Sequence, residues 1–358
     1  MGPGIMASRP EIIKSFRDQA GYADALGSPF MAALMNRAAE SIEAGGPLAV
    51  LVGGWPGDPA ADGLPLRIAG ALHALVLTGA DSTLAALYPP HSFDNDAVWR
   101  AAEAAMAAHR GHFADYLARA PQTNEVRRSA LLLPGFVAVA RMTGLPLRLL
   151  EIGASAGLNQ LWDKYRYRYG AGSWGDPAAP VTLDCDWRGA PFDLGGPVPV
   201  ASRAACDRAP IDIADETQRA RLHAYLWPDQ PERLTRLDAA LGMALAGGIR
   251  VEQADAADWV EARLAEPQEG AVPVLYHSVV WQYLTAPVGT RIRAALEAYG
   301  RRRPLAWLAL ELAAPDYELT LTLWPGDGNK TRNILARAHP HGAWLNWNSK
   351  GLTFSTGS

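Results

Sequence analysis

The chain has 358 residues, enough for two domains or one large decorated one. With 49% hydrophobic and 20% charged residues it has the composition of a globular protein with a sizeable core. A net charge of −4 gives no global electrostatic case for nucleic acid or an acidic membrane surface, and only two cysteines, Cys185 and Cys206, exclude a disulfide scaffold and a cysteine zinc site.

Met1 to Phe16 lacks a basic region followed by an apolar stretch, so no secretory signal is expected. The longest apolar runs, around Leu131 and Val137, are broken by Pro134 and too short to span a bilayer. A cytoplasmic protein without membrane contact is the expectation, with no prediction of oligomeric state.

Residues 11–45 are predicted to be two helices. Ile12, Phe16 and Ala20 share one face, and Ser28-Pro29 starts the second helix. Leu66 to Leu77 and Asp96 to Arg119 are predicted helical, with His109 and His112 on one face of the latter. No strand alternation precedes residue 145. Residues 1–144 are therefore expected to form a helical cap or substrate domain. Near its end, Thr123 or Asn124 can cap a helix that carries Asn124 and Arg128 on one face, both candidates for substrate binding.

From Leu147 short apolar runs alternate with helical patterns, which predicts βαβ units. The expected fold is α/β: a Rossmann-like, methyltransferase-type sheet over 145–358, mostly parallel with an antiparallel C-terminal strand. The first strand, Leu147 to Ile152, leads into a helix reaching about Tyr169. A hairpin-like insertion follows at about 170–200, then a strand from Val198 to Asp207. Helices are predicted at Glu216–Leu226 and Pro231–Ala246. Later strands are predicted at Ile249–Gln253, Val272–His277, Leu305–Leu312, Tyr317–Trp324, Asn333–His339 and Ala343–Trp347.

The stretch Glu151-Ile-Gly-Ala-Ser-Ala-Gly-Leu-Asn159 has the pattern of a strand ending in a Gly-rich turn. No lysine follows Gly157, so it is not a phosphate loop. Ser155 and Leu158 stand where a dinucleotide fingerprint needs glycine, which counts against a nicotinamide-dependent oxidoreductase. The acid-x-G-x-G-x-G loop matches at Glu151, Gly153 and Gly157, with Ser155 replacing the middle glycine. That loop takes S-adenosylmethionine, whose ammonium suits an acid and whose carboxylate suits loop N–H groups. Asn159 completes the stretch. An acid after the next strand would take the ribose; Asp207 is preferred, with Asp184 and Asp186 as rivals. Asp255-Ala256 after the third strand would take the adenine, or Asp255 caps the next helix.

His277, at the end of the fourth strand, is the candidate catalytic base, against the alternative of a histidine hydrogen-bonded at a strand end. Trp281 and Tyr283 could pack adenine or substrate. No Asn-Pro-Pro-Tyr type segment follows that strand. The run Tyr165-Arg166-Tyr167-Arg168-Tyr169 reads as a helix end with snorkelling arginines rather than a nucleic-acid surface. His339 and His341 lack a third ligand, so no metal is expected.

The Glu151–Asn159 stretch, Thr123-Asn-Glu-Val126, Trp174-Gly-Asp-Pro177, Trp227-Pro-Asp-Gln230, His277-Ser-Val-Val-Trp-Gln-Tyr283 and His339-Pro-His-Gly342 together resemble the signature blocks of the bacterial family called domain of unknown function 2332. The resemblance spans nearly the whole chain. It implies a core similar to class I methyltransferases and names no reaction. The expected function is a methyltransferase using S-adenosylmethionine on a small molecule or protein, not nucleic acid. The alternative is a non-catalytic S-adenosylmethionine- or nucleoside-binding or regulatory protein on the same fold.

Overall fold

The computed structural model describes residues 6–170, 172–266 and 269–348. The chain divides into two compact units, Met1–Thr123 with Asp215–Thr235, and Asn124–Ala214 with Arg236–Ser358. The first break falls at Thr123 rather than near 144, because the helix that follows belongs with the sheet.

The first unit is helical: α1 (Arg9–Ala25), α2 (Pro29–Ala44), α3 (Pro47–Val52), α4 (Leu64–Leu77), α5 (Ser82–Ala85), α6 (Asn95–Ala108) and α7 (Arg110–Leu117). The second unit opens with a 3-10 turn at Val126–Arg128 and α8 (Ser129–Thr143). After its first strands, α9 (Glu216–Ala224) and the start of α10 (Pro231–Ala246) return to the first unit.

Local chemistry sets these helix ends. Ser8 caps α1 in a reciprocal box with Glu11, Ser28 caps α2, and Asp94 caps α6. The single helix expected over 96–119 is two, because His109 leaves the helical region (φ −113°, ψ 40°). His109 is thus a joint residue and does not share a continuous face with His112. The Trp227–Gln230 block serves this unit's packing. Asp229 accepts from the Ser28 hydroxyl and the Phe30 amide, Gln230 donates to the Leu26 carbonyl (3.0 Å), and Trp227 lies in the core.

The second unit is built on a nine-stranded sheet. Its strands are β1 (Leu147–Ile152), β2 (Arg166–Tyr169), β3 (Gly172–Trp174), β4 (Thr182–Asp184), β5 (Asp186–Gly189), β6 (Val200–Asp207), β7 (Glu252–Gln253), β8 (Val272–Ser278), β9 (Leu305–Ala313), β10 (Asp316–Trp324), β11 (Thr331–Ala338) and β12 (Trp344–Trp347). The large sheet runs β5-β12-β11-β10-β9-β8-β1-β6-β7, and β3-β2-β4 form a small separate sheet. Neighbours from β7 to β9 are parallel, so β1 is central and chain order reverses between β1 and β8. The expectation of one antiparallel C-terminal strand needs correction. β9 to β12 form an antiparallel meander, and β5 joins its far edge in parallel.

The fully buried run of β1 is what a central parallel strand demands. Leu308 of β9 packs on α8, where Gly135 leaves room for it, while adjacent Trp307 joins the core on the other face with α11 (Ala256–Ala265) and α12 (Ala286–Gly300). Among the described residues, no helix is long and apolar enough to cross a membrane.

The helix expected to reach Tyr169 stops early. Leu158–Lys164 is a 3-10 helix, after which β2 begins, so the insertion starts at Arg166 and is a three-stranded sheet rather than a hairpin. The cause is a period of two in Tyr165-Arg166-Tyr167-Arg168-Tyr169. Each tyrosine is buried and donates to a carbonyl: Leu158, Trp162 and Ala130 respectively, all at 2.6 Å. Arg168 points outward and pairs twice with Asp184. These arginines belong to a strand and do not snorkel from a helix end.

Candidate functional site

In an open α/β sheet, ligands settle beyond the carboxyl ends of the strands where the strand order reverses. Here that place lies above β1 and β8. β1 ends in Gly153 to Gly157, a turn whose backbone is left-handed at Gly153 (φ +65°), Ser155 (φ +54°) and Gly157 (φ +74°). A side chain at Gly153 would run into Val280, and one at Gly157 into Gln160 and Val251. β8 ends in Val279, also left-handed (φ +60°). Among the described residues, Ser155 and Val279 are the two non-glycine residues with positive φ. Both lie just past the ends of the two strands that flank the reversal. Such backbone costs about 1–3 kcal/mol per residue and collects at functional sites.

The loop is tied down by neighbouring strands. Ala154 donates to the Cys206 carbonyl (3.1 Å), and the Ser155 amide donates to Asp207 Oδ2 (2.8 Å). The hydroxyl of Ser155, on a residue 4% exposed, has no hydrogen-bond partner. Beneath the loop, Glu151 is buried and accepts one bond, from the Tyr276 hydroxyl (3.1 Å). Burial pushes its carboxyl up to about 8; nearby Asp207 adds to that and the Tyr276 bond opposes it.

Several expected site residues hold the loop and its neighbouring segments in place through hydrogen bonds. Asn124 is not on a helix shared with Arg128. It lies before the 3-10 turn, and its Oδ1 accepts from the Leu158 amide (2.9 Å), fixing the start of the next element. Glu125, rather than Asn124 or Thr123, caps that turn. Arg128 donates to the Pro340 carbonyl (3.0 Å). Asn159 Oδ1 accepts from the Ser129 hydroxyl (2.7 Å). Asp207 holds two amides, of Ser155 and Ala209, one on each oxygen. Asp255 caps α11 through Oδ1, next to Ala256. The rivals Asp184 and Asp186 lie in the β4–β5 region, engaged with Arg168 and Arg188.

His277 is 1% exposed, and both ring nitrogens are engaged. Trp307 Nε1 donates to Nε2 (2.9 Å), so the ring proton sits on Nδ1 and is given to Glu311 Oε1 (2.6 Å). The geometry supports the hydrogen-bonded strand-end histidine, with no free lone pair for a substrate proton. Trp281 stacks on His277 (centroids 5.3 Å apart) with Arg293 over its ring, and Tyr283 is exposed.

Glu311 was not singled out by the sequence. Besides His277 it receives the Val280 amide (3.0 Å), and this fixes the segment whose side chain closes on Gly153. Burial works to raise its carboxyl, but the His277 bond and the Val280 and Trp281 amides outweigh it and hold it below the usual range. Its signal was a lone acid inside the apolar run Leu305–Ala313. A separate cleft, lined by residues including Arg141, Pro146 and Pro199, opens at the opposite, N-terminal end of β1 and holds none of these groups.

No curated protein and no solved structure matches the chain. A family model described as an uncharacterized protein conserved in bacteria matches residues 13–347. With that match across almost its whole length, the chain belongs to the bacterial family of domain of unknown function 2332.

Proposed function

We propose that this protein binds S-adenosylmethionine above β1 and is a methyltransferase for a small-molecule or protein substrate. The observation that carries the reading is the left-handed Gly153–Gly157 turn at the strand-order reversal, with Glu151 buried beneath it and a Ser155 hydroxyl lacking any partner. These residues fit the charged end of the cofactor. Glu151 would hold the ammonium, and the loop with Ser155 would hold the carboxylate. Asp207 uses two of its roughly four acceptor positions on amides and keeps the others for ribose hydroxyls. Asp255 keeps Oδ2 for the adenine edge. When bound, the cofactor would supply an electrophilic methyl group; the chain's own task is to place the acceptor in line with it, which needs no side-chain base.

Isothermal titration with S-adenosylmethionine and its demethylated product tests the reading. Saturable heat is expected with both; none with either, in folded protein, removes it. A second reading, a non-catalytic binding or regulatory protein, is favoured by one observation, the engagement of both His277 nitrogens. Tight cofactor binding without methyl transfer across a broad substrate panel would select it.

A further inference from the structure

Two consecutive arginines, Arg127 and Arg128, sit in the 3-10 turn that precedes α8. That turn is clamped on both flanks to the residues just after Gly157. Asn124 Oδ1 accepts from the Leu158 amide (2.9 Å), and the Ser129 hydroxyl donates to Asn159 Oδ1 (2.7 Å). Each arginine is half-buried and is held by Nε alone: Arg127 Nε donates to the Asp184 carbonyl (2.7 Å) and Arg128 Nε to the Pro340 carbonyl (3.0 Å). The segments that supply these two carbonyls adjoin, since the Asp186 amide donates to the Ala343 carbonyl (2.9 Å) and β5 pairs with β12 there. The turn carrying Pro340 also closes on Arg127. A side chain at Gly342 would meet the Arg127 carbonyl oxygen at 2.5 Å and its Cγ at 2.9 Å. The stems are therefore fixed at one corner, and the Nη atoms are left over. Among the described residues no carboxylate takes them. Asp184 feels the Arg127 charge but gives its two oxygens to Arg168 (2.6 and 2.7 Å), Asp186 pairs with Arg188 (2.7 Å), and Glu125 takes the Arg127 amide (3.2 Å) as the cap of the turn. None of these Nη atoms is sealed from solvent, so a ligand can reach them.

We propose that Arg127 and Arg128 form a subsite for an oxyanion, the carboxylate or phosphate group of a small-molecule ligand. Two half-buried guanidinium charges without a carboxylate are stabilised by an anion. With Nε anchored, each planar group offers its Nη atoms as a fixed fork, and that geometry matches a carboxylate or phosphate. That the anion belongs to the methyl acceptor rests on the function proposed above, through the ties of this turn to Leu158 and Asn159; binding of the anion does not.

The test is isothermal titration of the full chain, without cofactor, with benzoate, with phenyl phosphate and with uncharged benzyl alcohol. Saturable heat is expected for at least one anion and not for the alcohol, and the tighter anion names the oxyanion. Arg127→Gln and Arg128→Gln should each weaken that binding about tenfold, equivalent to ~1.4 kcal/mol. Since each variant also drops a bond that holds a neighbouring segment, arginine labelling of the unaltered chain with phenylglyoxal provides a second arm. Mapped by mass spectrometry, labelling of Arg127 and Arg128 should slow several-fold when the anion is bound, while that of exposed Arg110 stays the same. Equal binding of alcohol and anions, no anion binding, undiminished affinity in both variants, or labelling of both arginines that ignores the anion overturns the subsite. Anion binding in a protein that ignores S-adenosylmethionine would keep the subsite and remove the methyltransferase reading; cofactor binding without anion binding would do the reverse.

Discussion

At the end of β1, buried Glu151 keeps one neutral donor and the Ser155 hydroxyl has none. One strand over, at the end of β8, His277 has a partner on each ring nitrogen and Glu311 Oε1 takes two donors. Both ends carry a strained residue, Ser155 in one and Val279 in the other. The difference lies in how polar groups are satisfied. Strain with a closed hydrogen-bond set marks a wall; strain with unsatisfied groups marks a surface that a ligand completes. By this criterion the β1 side receives the ligand, and the β8 side holds Val280 in position against it.

The contrast can be broken most forcefully at Glu151. Its carboxyl is raised from 4.5 to about 8 in the folded chain, chiefly by burial. Below pH 4.5 it is protonated whether the chain is folded or not, and costs nothing. As pH rises through the window to about 8, the unfolded chain loses the proton while the folded chain keeps it, so stability falls. At ~1.4 kcal/mol per pH unit this penalty has a ceiling of about 5 kcal/mol. Glu151→Gln keeps an acceptor for Tyr276 and has no proton to lose. Urea denaturation of both proteins between pH 5 and about 8.5 should therefore show the variant gaining on the wild type as pH rises. Parallel curves would mean that Glu151 is not held protonated. Next in size is Gly153→Ala. A left-handed alanine pressed into Val280 should cost about 2–5 kcal/mol and lower the melting temperature. An unchanged melting temperature would mean that the turn is not closed by Val280.

The parts legible in the sequence are those governed by local pattern. The parallel strands, the Gly-rich turn and the long helix Pro231–Ala246 follow from apolar runs, glycine spacing and period. The stretch 165–169 misled because five residues give few turns of evidence; its period of two became decisive only where three tyrosine hydroxyls met carbonyls of Leu158, Trp162 and Ala130. The roles of Asn124 and His277 were not legible for a different reason. Their partners, Leu158, Trp307 and Glu311, are 34, 30 and 34 residues away, and only the tertiary fold decides whether such a group faces a ligand or the chain itself. Glu311 escaped because a strand of leucines and alanines reads as core, although an acid embedded there requires donors.

On the β8 side, His277→Phe preserves ring bulk but strands the Trp307 N–H and removes a donor from Glu311. A loss of about 2–4 kcal/mol in urea denaturation is expected. If the loss is absent while a methyl-transfer rate falls, His277 is a catalytic base and not part of the wall.

The smallest effect sharpens the comparison from the other side, because its sign is opposite. Ser155→Gly removes a left-handed Cβ, worth about 1 kcal/mol, and a buried hydroxyl without a partner, worth about 1–3 kcal/mol. Against these stands about 0.5–1 kcal/mol of added backbone freedom in the unfolded chain. The variant should thus be more stable than the wild type by about 1–3 kcal/mol, and Ser155→Ala, which keeps the strain, should gain less. Affinity for S-adenosylmethionine should move the other way and fall in both, since the hydroxyl that is idle in the free chain is the one a ligand engages. A gain in stability with undiminished affinity would show that the β1 loop is a closed structural turn like its neighbour.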